Sequence, residues 1–384
     1  FQVLGVILAS AMFGMFVGAM PGLTATMATA LLVPVTFFMA PVPALGAIVT
    51  ATAMAIFAGD IPAAMLRMPG TPASAAYADE SYEMTKKGQL DLCMGTNLVF
   101  SVLGGIFGVV VLILLAPVLA EVAINFSSFE YFWLACLGLT CAVFIGTGDP
   151  VKGLLSLFVG LAIGRIGIDP AAGQARFTFG NVDLLSGINF IPTLIGMFAV
   201  SELLRGAVTL DKGLTMVQQH VGNLLSGIGG VWRKYWKNFF RGSILGTVIG
   251  ALPGAGADIA AWVSYAVSKK LSKEPEKFGT GHIEGIVDST SANNAALGGA
   301  WIPALVFGIP GDSITAIVIG VLYMKGMNPG PSVFLQTPEL IYAVFIIFIL
   351  ANIVMFPLGW AAIKSAKQIL RVPRNILLPV ILIF

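Results

Sequence analysis

Charge is the first thing this sequence lacks. Only 10% of its 384 residues are Asp, Glu, Lys or Arg, against about 25% in an ordinary soluble domain. With 57% hydrophobic residues and a mean hydropathy of +0.91, that excludes a soluble globule. The formal net charge of +2 gives no footing for nucleic acid or a strongly charged partner. Cysteine is scarce: Cys93, Cys136 and Cys141 fall in apolar stretches without metal-ligand spacing and read as small core residues. Histidine is scarcer; His220 and His282 lie in polar connections, where a solvated role is the default. Neither HExxH nor GxSxG occurs, so two common catalytic signatures are missing. The chain opens at Phe1 and closes inside the apolar run Ile376 to Phe384, which reads as two cuts through helices of a longer protein.

What is present is apolar length. Ile48 to Met65, Leu98 to Ala120, Tyr131 to Ile145, Thr193 to Leu204 and Leu340 to Trp360 approach the roughly 20 residues of a spanning helix. The pattern predicts an all-α polytopic membrane protein with about ten to twelve crossings. Trp232, Arg233, Lys234, Tyr235, Trp236 and Lys237 form an aromatic and basic cluster suited to anchoring at the cytoplasmic interface.

Glycine (45) and proline (21) are plentiful and concentrate inside apolar runs rather than in linkers. They also repeat. FGMFVGAMPG at 13 to 22 matches LGTVIGALPG at 245 to 254, an offset of 232; IPAAMLRMPG at 61 to 70 matches IPALVFGIPG at 302 to 311, an offset of 241. Each half thus carries two Pro-Gly breaks in the same order. The growth in offset places an insertion in the second half, at the lysine-rich loop Lys269 to Gly281; the first half carries its lysines later, at Lys86 and Lys87. Because Lys and Arg collect in cytoplasmic loops, equivalent loops fall on opposite sides, and the repeats are expected to be inverted. The expected division is 1–120 for the first repeat, 121–238 for connecting helices, and 239–384 for the second repeat and the start of the following helices.

Inverted repeats with broken helices are the pattern of secondary transporters, whose substrate site lies at the repeat interface near the midplane. A break frees backbone N–H groups and exposes the positive end of a helix dipole, and such backbone survives at depth only when buried in protein or lining a cavity. On these grounds a binding site is expected at Pro21, Gly22, Thr24, Thr26, Gly70, Thr71, Gly254, Ala255, Gly256, Asn293, Asn294, Gly311 and Ser313. Asp60, Asp258, Asp288 and Asp312 are candidates for ion coupling, with Na+ placed near Asp258 and Asp312, because intramembrane acids are costly and usually functional. Each has a plainer reading. Gly14, Gly18, Gly246 and Gly250 serve helix packing by their small-x-x-x-small spacing, and Thr71, Asp258 and Asp312 serve as helix caps. Arg67 stands equally for pairing with a substrate carboxylate or with Asp60, two turns earlier on the same face.

The stretches GAMPGLTATMATALLVPVTF (18–37), MPGTPASA (68–75), GALPGAGADIAAWVSYAVSKKLSKEPEKFGTG (250–281), EGIVDSTSANNAALGGAWIPALVFGIPG (284–311) and MNPGPSVF (327–334) resemble the large membrane subunit of the tripartite tricarboxylate transporters, the TctA family. The resemblance covers essentially the whole chain. It implies a secondary transporter of the bacterial inner membrane that imports a small di- or tricarboxylate by elevator-like alternating access. It implies coupling to Na+ or H+ with no other cofactor, and two partners: a small membrane subunit and a periplasmic solute-binding protein. Whether the chain pairs as a homodimer is left open. The chain departs from the family pattern at Asp60-Ile61, where small polar residues are expected, and at Ala255-Gly256-Ala257-Asp258, where Thr-Gly-Ala-Ser is usual. It departs again at Asp288-Ser289-Thr290, in place of Ala-Pro-Glu, and at Asp312, in place of a small residue. These acids leave a second option open, a zwitterionic or cationic solute. A membrane enzyme and a passive channel are the competing classes. The enzyme lacks a catalytic motif, and a channel more naturally carries repeated pore helices than two inverted halves.

Overall fold

A computed structural model describes residues 2–20, 23–144, 150–169, 174–188, 193, 195–200 and 222–369. The described residues form α1 (Gln2–Ala19), α2 (Ala25–Phe37), α3 (Pro41–Ala58), α4 (Asp60–Leu66), a 3-10 turn (Ser74–Tyr77), α5 (Ala78–Lys86), α6 (Leu90–Ala123), α7 (Ser128–Phe144) and α8 (Pro150–Ile163). After the connecting region come α9 (Ile228–Gly250), α10 (Gly256–Leu271), α11 (Ile283–Phe307), α12 (Ser313–Met324), α13 (Val333–Gln336) and α14 (Pro338–Ile369). The molecule is helical as expected; β1 (Gly167–Ile168) and β2 (Ala175–Arg176) pair over two residues each and are the one sheet among the described residues.

The expected ten to twelve crossings resolve differently. Among the described residues four helices are long and apolar enough to cross a membrane alone: Gln2–Ala19, Pro41–Leu66, Leu90–Ala123 and Pro338–Ala366. The shorter apolar helices are Ala25–Phe37, Val151–Ile163 and Ser313–Met324, and the first and last of these each start just beyond a Pro-Gly pair of the sequence. Of Thr193 to Leu204, residues 194 and 201–204 lie outside the described residues. The α3–α4 segment is the centre of the fold, with 94% of its most apolar window buried, which explains why it is apolar on every face. The outward faces of α6 and α14 carry exposed Leu114, Val118, Tyr342 and Ile346, suited to lipid.

Glycine sets how the helices meet. A methyl group on Gly14 would fall 2.7 Å from the Ala51 Cα, and one on Gly18 2.6 Å from the Ala55 Cα, so α1 and α3 lie backbone to backbone and parallel. In the second half Gly246 meets Ala292 and Gly250 meets Ala296 in the same way, at 2.6 and 2.8 Å. The packing reading of these four glycines therefore holds. Gly46 lies beside Ile347 and Gly359 beside Phe57, so α3 and α14 are parallel; Gly105 meets Asn352 and Gly359 meets Leu98, so α6 and α14 are antiparallel. Gly104 meets Ser291 and Gly108 meets Ala295, so α6 and α11 are parallel. It follows that α9 and α11 run opposite to α1 and α3.

The two lysine-bearing loops meet at one end of the molecule. Lys87 Nζ donates to the Thr280 carbonyl at 2.5 Å. Glu80 of α5 is fully buried and accepts from the N–H groups of Gly279, Gly281 and His282 and from the Tyr265 hydroxyl, at 2.5 to 2.7 Å. His282 is accordingly buried rather than solvated, because it closes this loop onto the start of α11. His220 lies outside the described residues. In the same loop a hydrogen bond from Lys277 holds the Glu274 carboxyl below its usual range. The opposite end gathers Lys325, which donates to the carbonyls of Phe37 and Met39, and Phe126, stacked on Phe307 at 6.2 Å.

Candidate functional site

The second, third and fourth interruptions and the start of α2 come together at the centre. Pro21 and Gly22 lie outside the described residues. Just beyond them Thr24 caps α2, accepting from the Met27 N–H at 3.2 Å. At the second interruption the chain turns back on itself: Gly70 N–H donates to the Gly59 carbonyl at 3.1 Å. Thr71 and Ser74 then exchange backbone-to-hydroxyl bonds, each 3.1 Å. At the third, Gly254 adopts φ +86° and Gly256 φ +60°, conformations that favour glycine. At the fourth, Asp312 caps α12 in a reciprocal box with Thr315 at 2.8 and 2.9 Å. Thr71 and Ser74 stand 241 positions before Asp312 and Thr315, so one turn chemistry occurs in both halves.

Contacts across these ends tie the halves together. Thr26 Oγ1 and Ser313 Oγ are 3.1 Å apart. The Ala73 N–H donates to Asp258 Oδ1 at 3.1 Å, and Trp262 Nε1 donates to the Pro72 carbonyl at 3.1 Å. Gly254 N–H donates to the Gly311 carbonyl at 2.9 Å. Ala255 gives α10 no side-chain cap of its own; instead the Ala257 N–H bonds the Asp312 carboxylate. A methyl on Gly256 would fall 2.6 Å from the Asp312 Cβ. One acid thus serves two helix N-termini, which balances its charge. Thr24, Thr26, Asp312 and Ser313 are half-buried, and Asp258 reaches the surface of the chain. Hydroxyls, backbone N–H groups and three helix N-termini there can hold carboxylate oxygens.

The other expected residues lie outside this cluster. Asp60 is buried behind Gly59 and accepts from the Tyr77 hydroxyl at 2.6 Å. Arg67 does not pair with Asp60: it terminates α4 in the left-handed conformation, φ +56°, and reaches outward to Asp79 at 2.8 Å. Asp288, a candidate for ion coupling, has a cation of the protein itself as partner. Arg241 grips both its oxygens at 2.6 and 2.9 Å, and Asn238 and Ser268 complete its shell at 2.8 and 2.7 Å. Asn294 binds Ser101 of α6 at 2.9 Å, joining helices; Asn293 is buried with neither end of its amide bonded. Arg241, Tyr77 and Glu80 escaped the sequence reading.

The same chain matches the family described as the tripartite tricarboxylate transporter TctA family over residues 4–384. It is 35% identical over 373 residues to a protein of Agrobacterium vitis described as an uncharacterized 52.8 kDa protein in the TAR-I ttuC' 3' region; the match covers 97% of this chain and 74% of that relative. A second Agrobacterium vitis protein, described as uncharacterized in the TAR-II ttuC' 3' region, is 37% identical over 114 residues, 30% of this chain and 47% of the relative. No solved structure matches significantly. A match over nearly its whole length, on a helical chain whose apolar helices are interrupted at one shared centre, makes this protein a member of the TctA family, a multi-pass membrane component of a tripartite tricarboxylate transporter.

Proposed function

We propose that this chain is the translocating subunit, importing a small di- or tricarboxylate across the bacterial inner membrane on a Na+ or H+ gradient. A periplasmic solute-binding protein delivers the substrate, and a small membrane subunit completes the assembly, with a homodimer as a further option. The observation that carries the reading is the meeting of the second, third and fourth interruptions with the start of α2, joined by Thr26–Ser313 and Asp258–Ala73. The opposite directions of α1–α3 and α9–α11, and the matched glycine contacts in each pair, support two inverted repeats. In that arrangement Pro-Gly breaks open backbone donors to the substrate, and an elevator-like displacement of the centre gives alternating access. The expected division at 1–120, 121–238 and 239–384 belongs to this reading.

Asp258 and Asp312 favour a second option, a zwitterionic or cationic solute, because they bring negative charge to the same centre. Vesicles containing the assembled transporter, offered labelled mono-, di- and tricarboxylates with and without a cation gradient, test both. Gradient-dependent accumulation of a carboxylate above equilibrium is expected. Equilibration alone would overturn coupled transport, and accumulation restricted to amines or amino acids would favour the second option.

A further inference from the structure

Behind the centre lies a buried polar seam short of partners. Asp60 Oδ1 accepts from the Tyr77 hydroxyl, while Asp60 Oδ2 is buried and bonded to nothing. The Tyr77 hydroxyl also lies beside Thr290 and Asn293 of α11. Asn293 is fully buried, and neither its amide oxygen nor its amide nitrogen meets a partner in bonding geometry. Ser289, one turn earlier on the same face, has a buried hydroxyl in the same condition. Thr290 is held by the Asn97 amide oxygen at 3.1 Å.

Orphaned groups on Asp60 and Asn293, both beside Tyr77, and on Ser289 one helical turn from Asn293, demand an explanation, since buried polar groups are ordinarily bonded. No protein cation supplies it. Among the described residues no ion pair includes Asp60; Arg67 is committed to Asp79 and Arg241 to Asp288. The titratable groups facing Asp60 are Tyr77 and, from α6, Cys93; Glu80 of α5 is occupied by the loop at Gly279 to His282.

We propose that Asp60, Tyr77, Ser289 and Asn293 bind one dehydrated Na+. A single carboxylate balances a single positive charge, and the amide and hydroxyl oxygens are the neutral ligands a hard cation takes. A proton would satisfy Asp60 alone and leave Ser289 and Asn293 orphaned. The seam occurs once: Asp60 plus 241 is Trp301, an apolar residue packed edge-on to Phe348 at 4.9 Å. Gly59, next to Asp60, lies against Gly70 and the Thr71 methyl, so an ion here bears directly on the turn that lines the centre. The proposal rests on the cation-coupled reading, and makes this the coupling site.

Thermal unfolding of the purified chain, in NaCl against choline chloride at constant ionic strength and several pH values, tests it without transport or partner subunits. Failure of the site and failure of the transport reading are therefore separable. Na+ is expected to raise the unfolding midpoint in a dose-dependent way. Asp60→Asn, Ser289→Ala and Asn293→Ala should each weaken the apparent Na+ affinity about tenfold or more, while Asp79→Asn, on the exposed Arg67 pair, leaves it unchanged. If Asp60→Asn does not fold, Ser289→Ala and Asn293→Ala carry the test. No Na+ effect in the wild type, an effect that follows pH alone, or undiminished affinity in the folded variants would overturn the site.

Discussion

Thr26 and Ser313, 287 residues apart in sequence, share a hydrogen bond of 3.1 Å at the point where the start of α2 meets the last interruption. Position 26 plus 232 is Asp258, whose carboxylate reaches Ala73 at the second interruption. The same relation thus occurs twice, once neutral and once acidic. Thr26→Val and Ser313→Ala are expected to raise the transport KM about fivefold each, the worth of one hydrogen bond of about 1 kcal/mol. Unfolding midpoints should stay near the wild-type value. Uptake kinetics in vesicles checks this, and unchanged KM in both variants would remove the pair from the site.

Gly256→Ala should be among the most damaging single changes. It forces a side chain onto a φ of +60° and drives its methyl to 2.6 Å from the Asp312 Cβ. A strained conformation costs about 1–3 kcal/mol before the clash is added. A clear fall in the unfolding midpoint of the purified protein, with poor yield, is expected.

Asp312→Ala removes a cap from α12 and a partner from the start of α10. A lost cap costs about 1 kcal/mol, so about 2 kcal/mol is expected for the two ends. Asp312→Asn, which keeps a cap oxygen, should recover much of it. Chemical denaturation of the three proteins orders them wild type, Asn, Ala if the carboxylate is chiefly a double cap.

Asp258→Asn separates the two substrate options by sign. Removing a negative charge from an open site should tighten an anionic substrate, and weaken a cationic one, by a fewfold once solvent screening is allowed for. Substrate competition assays in wild type and variant read the direction, and a tightened cation would reject the charge argument.

The loops at Lys87 and Thr280 touch, so positions 87 and 273 should be labelled from one side of the membrane. Phe38 and Asn125 should be labelled from the other. Single-cysteine labelling in a background lacking Cys93, Cys136 and Cys141 checks this, and the lysine-bearing side is expected to be cytoplasmic.

How much of this could be read beforehand depends on distance along the chain. The ends of α4, α9 and α11 fall beside Pro-Gly pairs, which are local signals in the sequence; the pair Pro21-Gly22 lies outside the described residues. The matching glycines were legible for the same reason, since a four-residue spacing already places them on one face. The partners were not. Arg241 reaches Asp288 across 47 residues and Glu80 reaches the loop across about 200, and nothing within a helical turn of either marks the other. Arg67 misled because two turns of ideal helix would have set it over Asp60; a left-handed residue ends α4 at Arg67 itself and sends the side chain away.

The neutral and acidic versions of one contact have a consequence for whatever sits between them. Thr26 and Thr71 in the first half stand where the second half has Asp258 and Asp312, so matched positions carry hydroxyls in one half and carboxylates in the other. A bound molecule meets hydroxyls at one pole and carboxylates at the other. In the proposed site such a molecule would be held in a single orientation, head and tail distinguished.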